Sequence, residues 1–336
     1  MPTRTKDTAT DILLKTIRQR PGHGYSLKRL AERLKLDNDQ LSVAINELQT
    51  WGYRVKKTAK TLSFVSAPDL LSGVEIGHKL KTKTFGKRIH AYKSVRSTND
   101  VARELAEAGA AEGTLVVAEE QTKGRGRFKR TWHSPPETGI YMSLIVRPKF
   151  PPEKAPALSV VTALALAETI NKWLADRVLI KWPNDILLGR KQRGQVRKTA
   201  GILTELVAEQ GKIDYIIVGV GINVNQTVPD FPEEIRKQAT SIRRVLRKKL
   251  SRVELLQRFL VIFEERYRTY SKSGLKPLNS KLRKLSYLIG REVSIGTGRE
   301  VITGTAINID TLGRLLVKTE TETIPINAGE VTVLKK

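Results

Sequence analysis

Apolar residues repeat along this chain with two different spacings, and the points where one gives way to the other divide it into three pieces. Near the amino terminus the spacing is helical. Residues 11–20 read as a short helix with Leu13, Leu14 and Ile17 inward, stopped by Pro21 and Gly22. Leu27, Leu30, Ala31 and Leu34 then recur at the spacing of one buried helix face. Leu41, Ala44, Ile45 and Leu48 repeat that spacing after Asp37, an N-cap candidate with Gln40 three residues on. Beyond Gly52, the residues Tyr53, Val55, Leu62 and Phe64 lie on two extended runs flanking KKTAK, the pattern of a β-hairpin. From 67 to 285 the two spacings alternate. Strands are expected over 114–118, 140–146, 178–182, 202–207 and 215–220, and helices over 101–108, 158–174 and 253–267. Residues 291–336 are short strands with glycines between them, which suits a small barrel. A length of 336 residues is enough for about two or more domains, and no internal repeat or low-complexity tract is present.

Charge and composition narrow the chemistry. Lys and Arg number 60 against 34 Asp and Glu, a net charge of +26 that favours anionic partners. With no cysteine, disulfides, thiol catalysis and thiolate metal sites are excluded. His23, His78, His90 and His133 are scattered, none at ligand spacing, so no metal site is expected from them. The longest near-apolar run, 155–167, is too short for a bilayer, which needs about 20 residues. The opening MPTRTKDTATDILLK offers no hydrophobic signal region. A cytoplasmic protein with no membrane segment is the resulting expectation.

Three short helices and a basic hairpin resemble a winged helix-turn-helix, in which the third helix enters a DNA major groove. In that reading Ser42, Asn46 and Gln49 face base edges, and Lys56, Lys57 and Lys60 in the wing hold phosphates. Residues 1–66 carry 13 basic and 6 acidic side chains, although the third helix has no Lys or Arg of its own. A small protein-interaction domain with a solvated polar face is the alternative.

Chemistry concentrates in the central piece. The densest signal is GRGRFKRTW at 124–132, where glycines free backbone N–H groups to converge on an anion and Arg125, Arg127, Lys129 and Arg130 supply charge. It is not a Walker loop, and a solvated basic loop is the plainer reading. In KWPND (181–185), Lys181 emerges from an apolar strand into a turn, a fixed ammonium suited to a carboxylate or phosphate, or else an ordinary edge-strand lysine. GVGINVN (219–225) lacks the third glycine of a dinucleotide fingerprint and reads as a backbone turn against a ligand, or a plain loop.

Together, Ser97-Thr98-Asn99, GRGRFKRTW, KWPND, AGILTE (200–205) and GVGINVN, in this order, resemble the biotin–protein ligase family. With the amino-terminal module, the chain is similar to the bifunctional form that also represses biotin-synthesis genes. The resemblance implies an α+β multidomain fold: a winged helix-turn-helix (1–66), a class II synthetase-like mixed α/β catalytic domain (67–285) and an SH3-like β-barrel (286–336). It implies ATP and biotin as substrates, Mg²⁺ as an accompanying ion, and transfer through biotinyl-5′-AMP to one lysine of biotin carboxyl carrier protein. It further implies operator DNA as a partner and a homodimer formed when biotinyl-AMP is bound. Carried over residue by residue, Ser97, Thr98, Asn99, Gln121, Arg125, Gly126, Arg127 and Lys181 line the biotin site. Arg127, Arg130, Trp132, Lys181, Asn184, Lys198, Gly221 and Asn223 meet ATP or the adenylate, while Lys181, Arg127 and Arg125 are the catalytic set.

Two stretches depart from the family's pattern. ILLGRKQRGQVRKT (186–199) is longer and more basic than the usual connection, and it reads equally as a lid or a surface excursion. The family's lysine before AGIL falls on Lys198, with Lys191 close by. Arg243, Arg244, Arg247, Lys248, Lys249 and Arg252 match no family site and read as a solvated helix face. No carboxylate cage for a metal is visible, Asp185 being the nearest candidate. The competing functions are a ligand-sensing winged-helix transcription factor without ligase activity, and a lipoate–protein ligase. A pure sensor has no need of Lys181 and the arginine loop, and GRGRFKRTW points to biotin rather than lipoate.

Overall fold

The computed structural model describes residues 8–190, 195–297 and 300–334; Lys191 and the rest of 191–194 lie outside the described residues. The chain opens with α1 (Ala9–Ile17), β1 (Tyr25–Ser26), α2 (Leu27–Leu34), α3 (Asn38–Thr50), β2 (Arg54–Lys57) and β3 (Thr61–Ser66). The first helix begins earlier than its apolar residues suggest, because Thr8 and Asp11 form a reciprocal cap that satisfies its first N–H groups. Asp37 and Gln40 do the same for α3, at 2.8 and 3.1 Å. The strands pair antiparallel in the order β1-β3-β2. Leu13, Leu14, Ile17, Leu41, Ile45, Leu48 and Leu62 fill the core between helices and sheet. Each is at most 3% exposed, as the helical spacing requires.

A short helix, α4 (Gly73–Gly77), leads into a seven-stranded mixed sheet. Its strands are β4 (Ile89–Val95), β5 (Leu115–Gln121), β6 (Gly139–Val146), β7 (Val178–Lys181), β8 (Asp185–Gly189), β9 (Val196–Glu209) and β10 (Lys212–Asn223). Their order is β4-β5-β6-β10-β9-β8-β7, parallel only between β4 and β5. One face is covered by α6 (Ala157–Asn171), which is apolar nearly all round and buried along almost its whole length. The amphipathic α9 (Arg252–Ser273) packs on α6. On the opposite face, α5 (Thr98–Glu107) covers only the end of the sheet carrying Val116, Ile145 and Ile217. The rest of that face is open, and there the candidate site forms.

Short helices α7 (Glu233–Arg236), α8 (Ile242–Leu246) and α10 (Asn279–Leu285) flank the sheet. The chain ends in five antiparallel strands: β11 (Glu292–Gly296), β12 (Val301–Ile309), β13 (Leu315–Lys318), β14 (Thr323–Ile326) and β15 (Glu330–Val333). Their order is β14-β13-β12-β11-β15. Val293, Ile295, Ala306, Leu315 and Val317 join the same apolar core as α6 and the central sheet, so the two units share one interior.

The basic stretch after residue 240 is not one solvated face. Arg243 and Arg244 aim guanidinium groups at the carbonyls of Asn225 and Ala239. Arg252 is 1% exposed, the largest fully buried side chain among the described residues. Its Nη1 lies 2.5 Å from Glu119 Oε2 and its Nε 3.1 Å from Asp69 Oδ2. A guanidinium can be buried when carboxylates satisfy its donors, and that pairing is invisible in a run of charges. Only Arg247, Lys248 and Lys249 of the cluster are exposed.

Candidate active site

Strand register builds the floor. Tyr141, Gly221, Gly201, Asp185 and Lys181 face one another in turn across β6, β10, β9, β8 and β7. Directly opposed residues in an antiparallel ladder share a face, so this row lies on the open side of the sheet. Two of its members, Gly221 and Gly201, have no side chain, and Trp132 occupies the space. A Cβ on Gly221 would overlap the indole at Nε1, and one on Gly201 would come within 3.1 Å of Cζ3. The next glycine on the same face, Gly219, is likewise filled from above, by the Asn99 amide. The cavity over this floor has a volume of about 680 Å³.

The Ser97-Thr98-Asn99 segment forms the start of α5, with all three side chains buried. Thr98 donates from its backbone N–H (2.9 Å) and its hydroxyl (3.2 Å) to Gln121 Oε1. Gln121 donates onward from Nε2 to Ser134 at 3.0 Å. Ser143 Oγ lies 2.6 Å from Asn99 Oδ1 and 2.8 Å from Thr98 Oγ1. Asn99 Nδ2 donates to Glu205 Oε2 at 2.6 Å.

The arginine loop is a tight hairpin. Gly126 N–H donates to Arg130 O, Trp132 N–H donates to Gly124 O, and Arg125 bridges to Thr131 between them. The converging N–H groups expected from the sequence are therefore partly used inside the loop, and the charge delivered to the cavity comes from side chains. Phe128 and Lys129 both sit at positive φ (55° and 58°) at the loop tip. The arginines separate. Arg125 pairs with Asp100 at 2.7 Å, toward α5. Arg127 donates to Asn184 Oδ1 at 3.0 Å, on the turn that follows Lys181. Arg130 reaches Glu330 on β15 at 2.5 Å.

Lys181 is half-buried at the end of the floor row. Burial holds its ammonium below the usual lysine range, and the Lys198 charge adds to this while Asp185 opposes it. Lys198 itself pairs with Asp185 at 2.7 Å and lies 5.4 Å from the Trp132 ring centroid. Burial also pulls the Arg127 guanidinium downward, against the support of Asp185 and Glu330. Asn223, buried, closes the far end, with its backbone carbonyl accepting from Thr199 at 3.1 Å.

Every residue expected to meet biotin, ATP or the adenylate lines this one cavity: Ser97, Thr98, Asn99, Gln121, Arg125, Gly126, Arg127, Arg130, Trp132, Lys181, Asn184, Lys198, Gly221 and Asn223. Ser42, Asn46, Gln49, Lys56, Lys57 and Lys60 are elsewhere, on α3, the hairpin and its turn, and all but Ser42 are exposed. Sequence reasoning missed the acidic and carboxyl-terminal contributions. Glu205 and Asp100 support the site from behind, and Glu330 and Val331 on β15 form part of its wall. Glu205 had a signal, as the last residue of AGILTE; β15 had none, because only the shared core brings it there. Among the described residues no group of three His, Cys, Asp or Glu side chains could hold a metal.

A family model described as the biotin/lipoate A/B protein ligase family matches residues 91–223, and one for the biotin protein ligase carboxyl-terminal domain matches 288–334. The bifunctional ligase/repressor BirA of Bacillus spizizenii is 37% identical over 316 residues, covering 94% of this chain and 95% of that protein. The biotin–[acetyl-CoA-carboxylase] ligase of Mycobacterium tuberculosis is 31% identical over 245 residues, or 71% of this chain and 86% of that one. Among solved structures, biotin protein ligase from Aquifex aeolicus in complex with biotin and ATP superimposes with a TM-score of 0.63 at 32% identity. That match covers 74% of this chain and all of the other.

Proposed function

The chain belongs to the biotin/lipoate A/B protein ligase family, and from that premise we propose that it is an ATP-dependent biotin–protein ligase that also represses transcription. The observation that carries the enzymatic reading is the convergence of Lys181, Arg127, Arg130 and Lys198 on one cavity beside a wall of buried amide and hydroxyl groups. The reaction brings a carboxylate onto an anionic phosphorus, so the site must screen two negative groups while holding them in line. A biotin carboxylate oxygen attacks the α-phosphorus of ATP, the bond to pyrophosphate breaks, and biotinyl-5′-AMP remains. The amine of the carrier protein's acceptor lysine then attacks the acyl carbon, AMP leaves, and the amine loses a proton.

The polar wall of Ser97, Thr98, Asn99 and Gln121 suits the ureido ring of biotin. Trp132, flat over two glycines, suits adenine, with Asn223 and Gly221 beside it. Lys181 and Arg127 both line the cavity where carboxylate and phosphate would react, with Arg125 at the biotin end. Mg²⁺ would enter with the triphosphate and neutralise part of its charge. Asp185 is the nearest carboxylate for it and is already paired with Lys198.

The amino-terminal unit, residues 1–66, we read as a winged helix-turn-helix, with 67–285 as a class II synthetase-like catalytic domain and 286–336 as an SH3-like barrel. The exposed Asn46 and Gln49 on α3 support base contact, and the exposed lysines of the hairpin support phosphate contact. A homodimer assembled on biotinyl-AMP would place two such units on operator half-sites, in competition with the carrier protein. The deciding experiment incubates the full chain with labelled biotin, ATP and a biotin carrier domain. Label on the carrier is expected; an unlabelled carrier beside intact protein removes the enzyme, and equal use of lipoate reassigns it. Lys181→Ala is expected to abolish adenylate formation.

A further inference from the structure

All five motifs acquire a part in this site, but the acidic end of AGILTE, Glu205, does not line the cavity. It stands on β9 two residues beyond Leu203 and four beyond Gly201, hence on the cavity's side of the sheet. Three partners meet it. Asn99 Nδ2 donates to Oε2 at 2.6 Å, Arg103 Nη2 to Oε1 at 2.9 Å, and Arg125 Nη2 lies 3.5 Å from Oε1 while making its closer contact with Asp100.

A carboxylate only accepts hydrogen bonds, so Asn99 can turn only its Nδ2 toward Glu205. Its Oδ1 is thereby directed to Ser143 Oγ at 2.6 Å, and Ser143 also touches Thr98 at 2.8 Å. The same amide sits where any side chain at position 219 would collide with it. One carboxylate behind the wall thus fixes which way the Asn99 amide faces, and it adds a second, longer contact to the Arg125 that Asp100 pairs.

We propose that Glu205 is a positioning residue for biotin: by fixing the Asn99 amide it sets the donor and acceptor pattern of the polar wall, without touching substrate. The assignment rests on the biotin-ligase reading above. Its signature is selectivity between the two substrates, because Asn99 and Arg125 lie on the biotin side, whereas Trp132 and Lys198 lie on the other.

The test compares the full-length wild type with Glu205→Gln, Glu205→Asp and Ser143→Ala. Biotin affinity is read by calorimetry and KM for each substrate by biotin-dependent pyrophosphate exchange. Gln keeps the volume but cannot accept from Asn99 and both guanidinium groups at once. Glu205→Gln is expected to raise the biotin Kd and KM about tenfold, with the KM for ATP and kcat within about twofold, a split that general loss of structure does not produce. Asp, which keeps the charge, is expected to fall between. Ser143→Ala reads the same amide from its other end and is expected to show the same selectivity, so the question stays answerable if Glu205→Gln does not fold. Unchanged biotin binding in these variants, or equal increases in both KM values, overturns the assignment. A wild type without biotin-dependent exchange overturns the ligase reading itself, whereas an active wild type with indifferent variants removes only Glu205.

Discussion

Glycine at 221 and lysine at 181 are the positions where a single atom or proton decides what the site can do. A methyl group on Gly221 would occupy the Trp132 indole, so Gly221→Ala must displace the ring from its floor. The expected result is a rise of about tenfold in KM for ATP, equivalent to about 1.4 kcal/mol, with biotin affinity unchanged by calorimetry. For Lys181, in the role proposed above, the charge is what matters. Burial lowers its pKa, and a lysine with a lowered pKa becomes neutral at a lower pH than usual, so adenylation should fall on the alkaline side before an ordinary lysine would titrate, at about pH 10.4. Asp185→Asn removes the carboxylate that supports the ammonium and also frees Lys198 to repel it. The alkaline limb of pyrophosphate exchange should therefore move to still lower pH. A limb that stays in place under Asp185→Asn contradicts this account.

Between residues and the whole molecule, the elements are joined by a buried cation. Arg252, at the start of α9, binds Glu119 on β5 and Asp69 in the segment before α4, and Glu119 also accepts from the Leu71 N–H at 2.9 Å. Removing one member of a buried ionic group strands the others, so Arg252→Met should destabilise the chain by about 3–5 kcal/mol in urea unfolding. A cost under about 1 kcal/mol, typical of an exposed pair, would show that the cation is not shielded. Elements with strong periodicity were legible in the sequence: α2, α3 and α9 stand close to where their apolar spacing put them, whereas α6, apolar nearly all round, showed as a long apolar run. The strand β4 was not, because its residues are mostly half-exposed at a sheet edge and carry little alternation. The run from 178 to 182 was read as one strand, yet the turn at 182–184 makes it the first arm of a hairpin with β8. The motif residues of the site were readable as motifs, although GVGINVN, expected as a turn or loop, places Gly219–Asn223 inside β10, and AGILTE lies inside β9. Of their acidic supports, Asp100 acquires meaning only through Arg125, distant in sequence, and Glu205, though it closes AGILTE, gets its part only from Asn99 and Arg103.

For the molecule as a whole, the question is how one positive chain divides its anionic partners. Residues 1–66 hold a minority of the net +26, and the cavity's cations hold another part. If the hairpin lysines meet phosphates, changing Lys56, Lys57 and Lys60 together to Gln should lower the dependence of log affinity on log salt by about 0.9 for each phosphate no longer neutralised. Carrier biotinylation should stay the same, because none of the three lines the cavity. A salt slope equal to that of the wild type in operator-binding titrations would remove the wing from the DNA interface.

Arg130 reaches across the cavity to Glu330, and β15 supplies part of the wall. In the proposed reaction β15 would thus serve as a stave in the vessel that holds a mixed anhydride, a compound that water destroys. A full-length chain carrying Glu330→Ala, which opens that contact and keeps the shared core, should leak the adenylate, consuming ATP and releasing free biotin faster than carrier is labelled. The ratio of AMP formed to biotin transferred measures how tightly the vessel is closed.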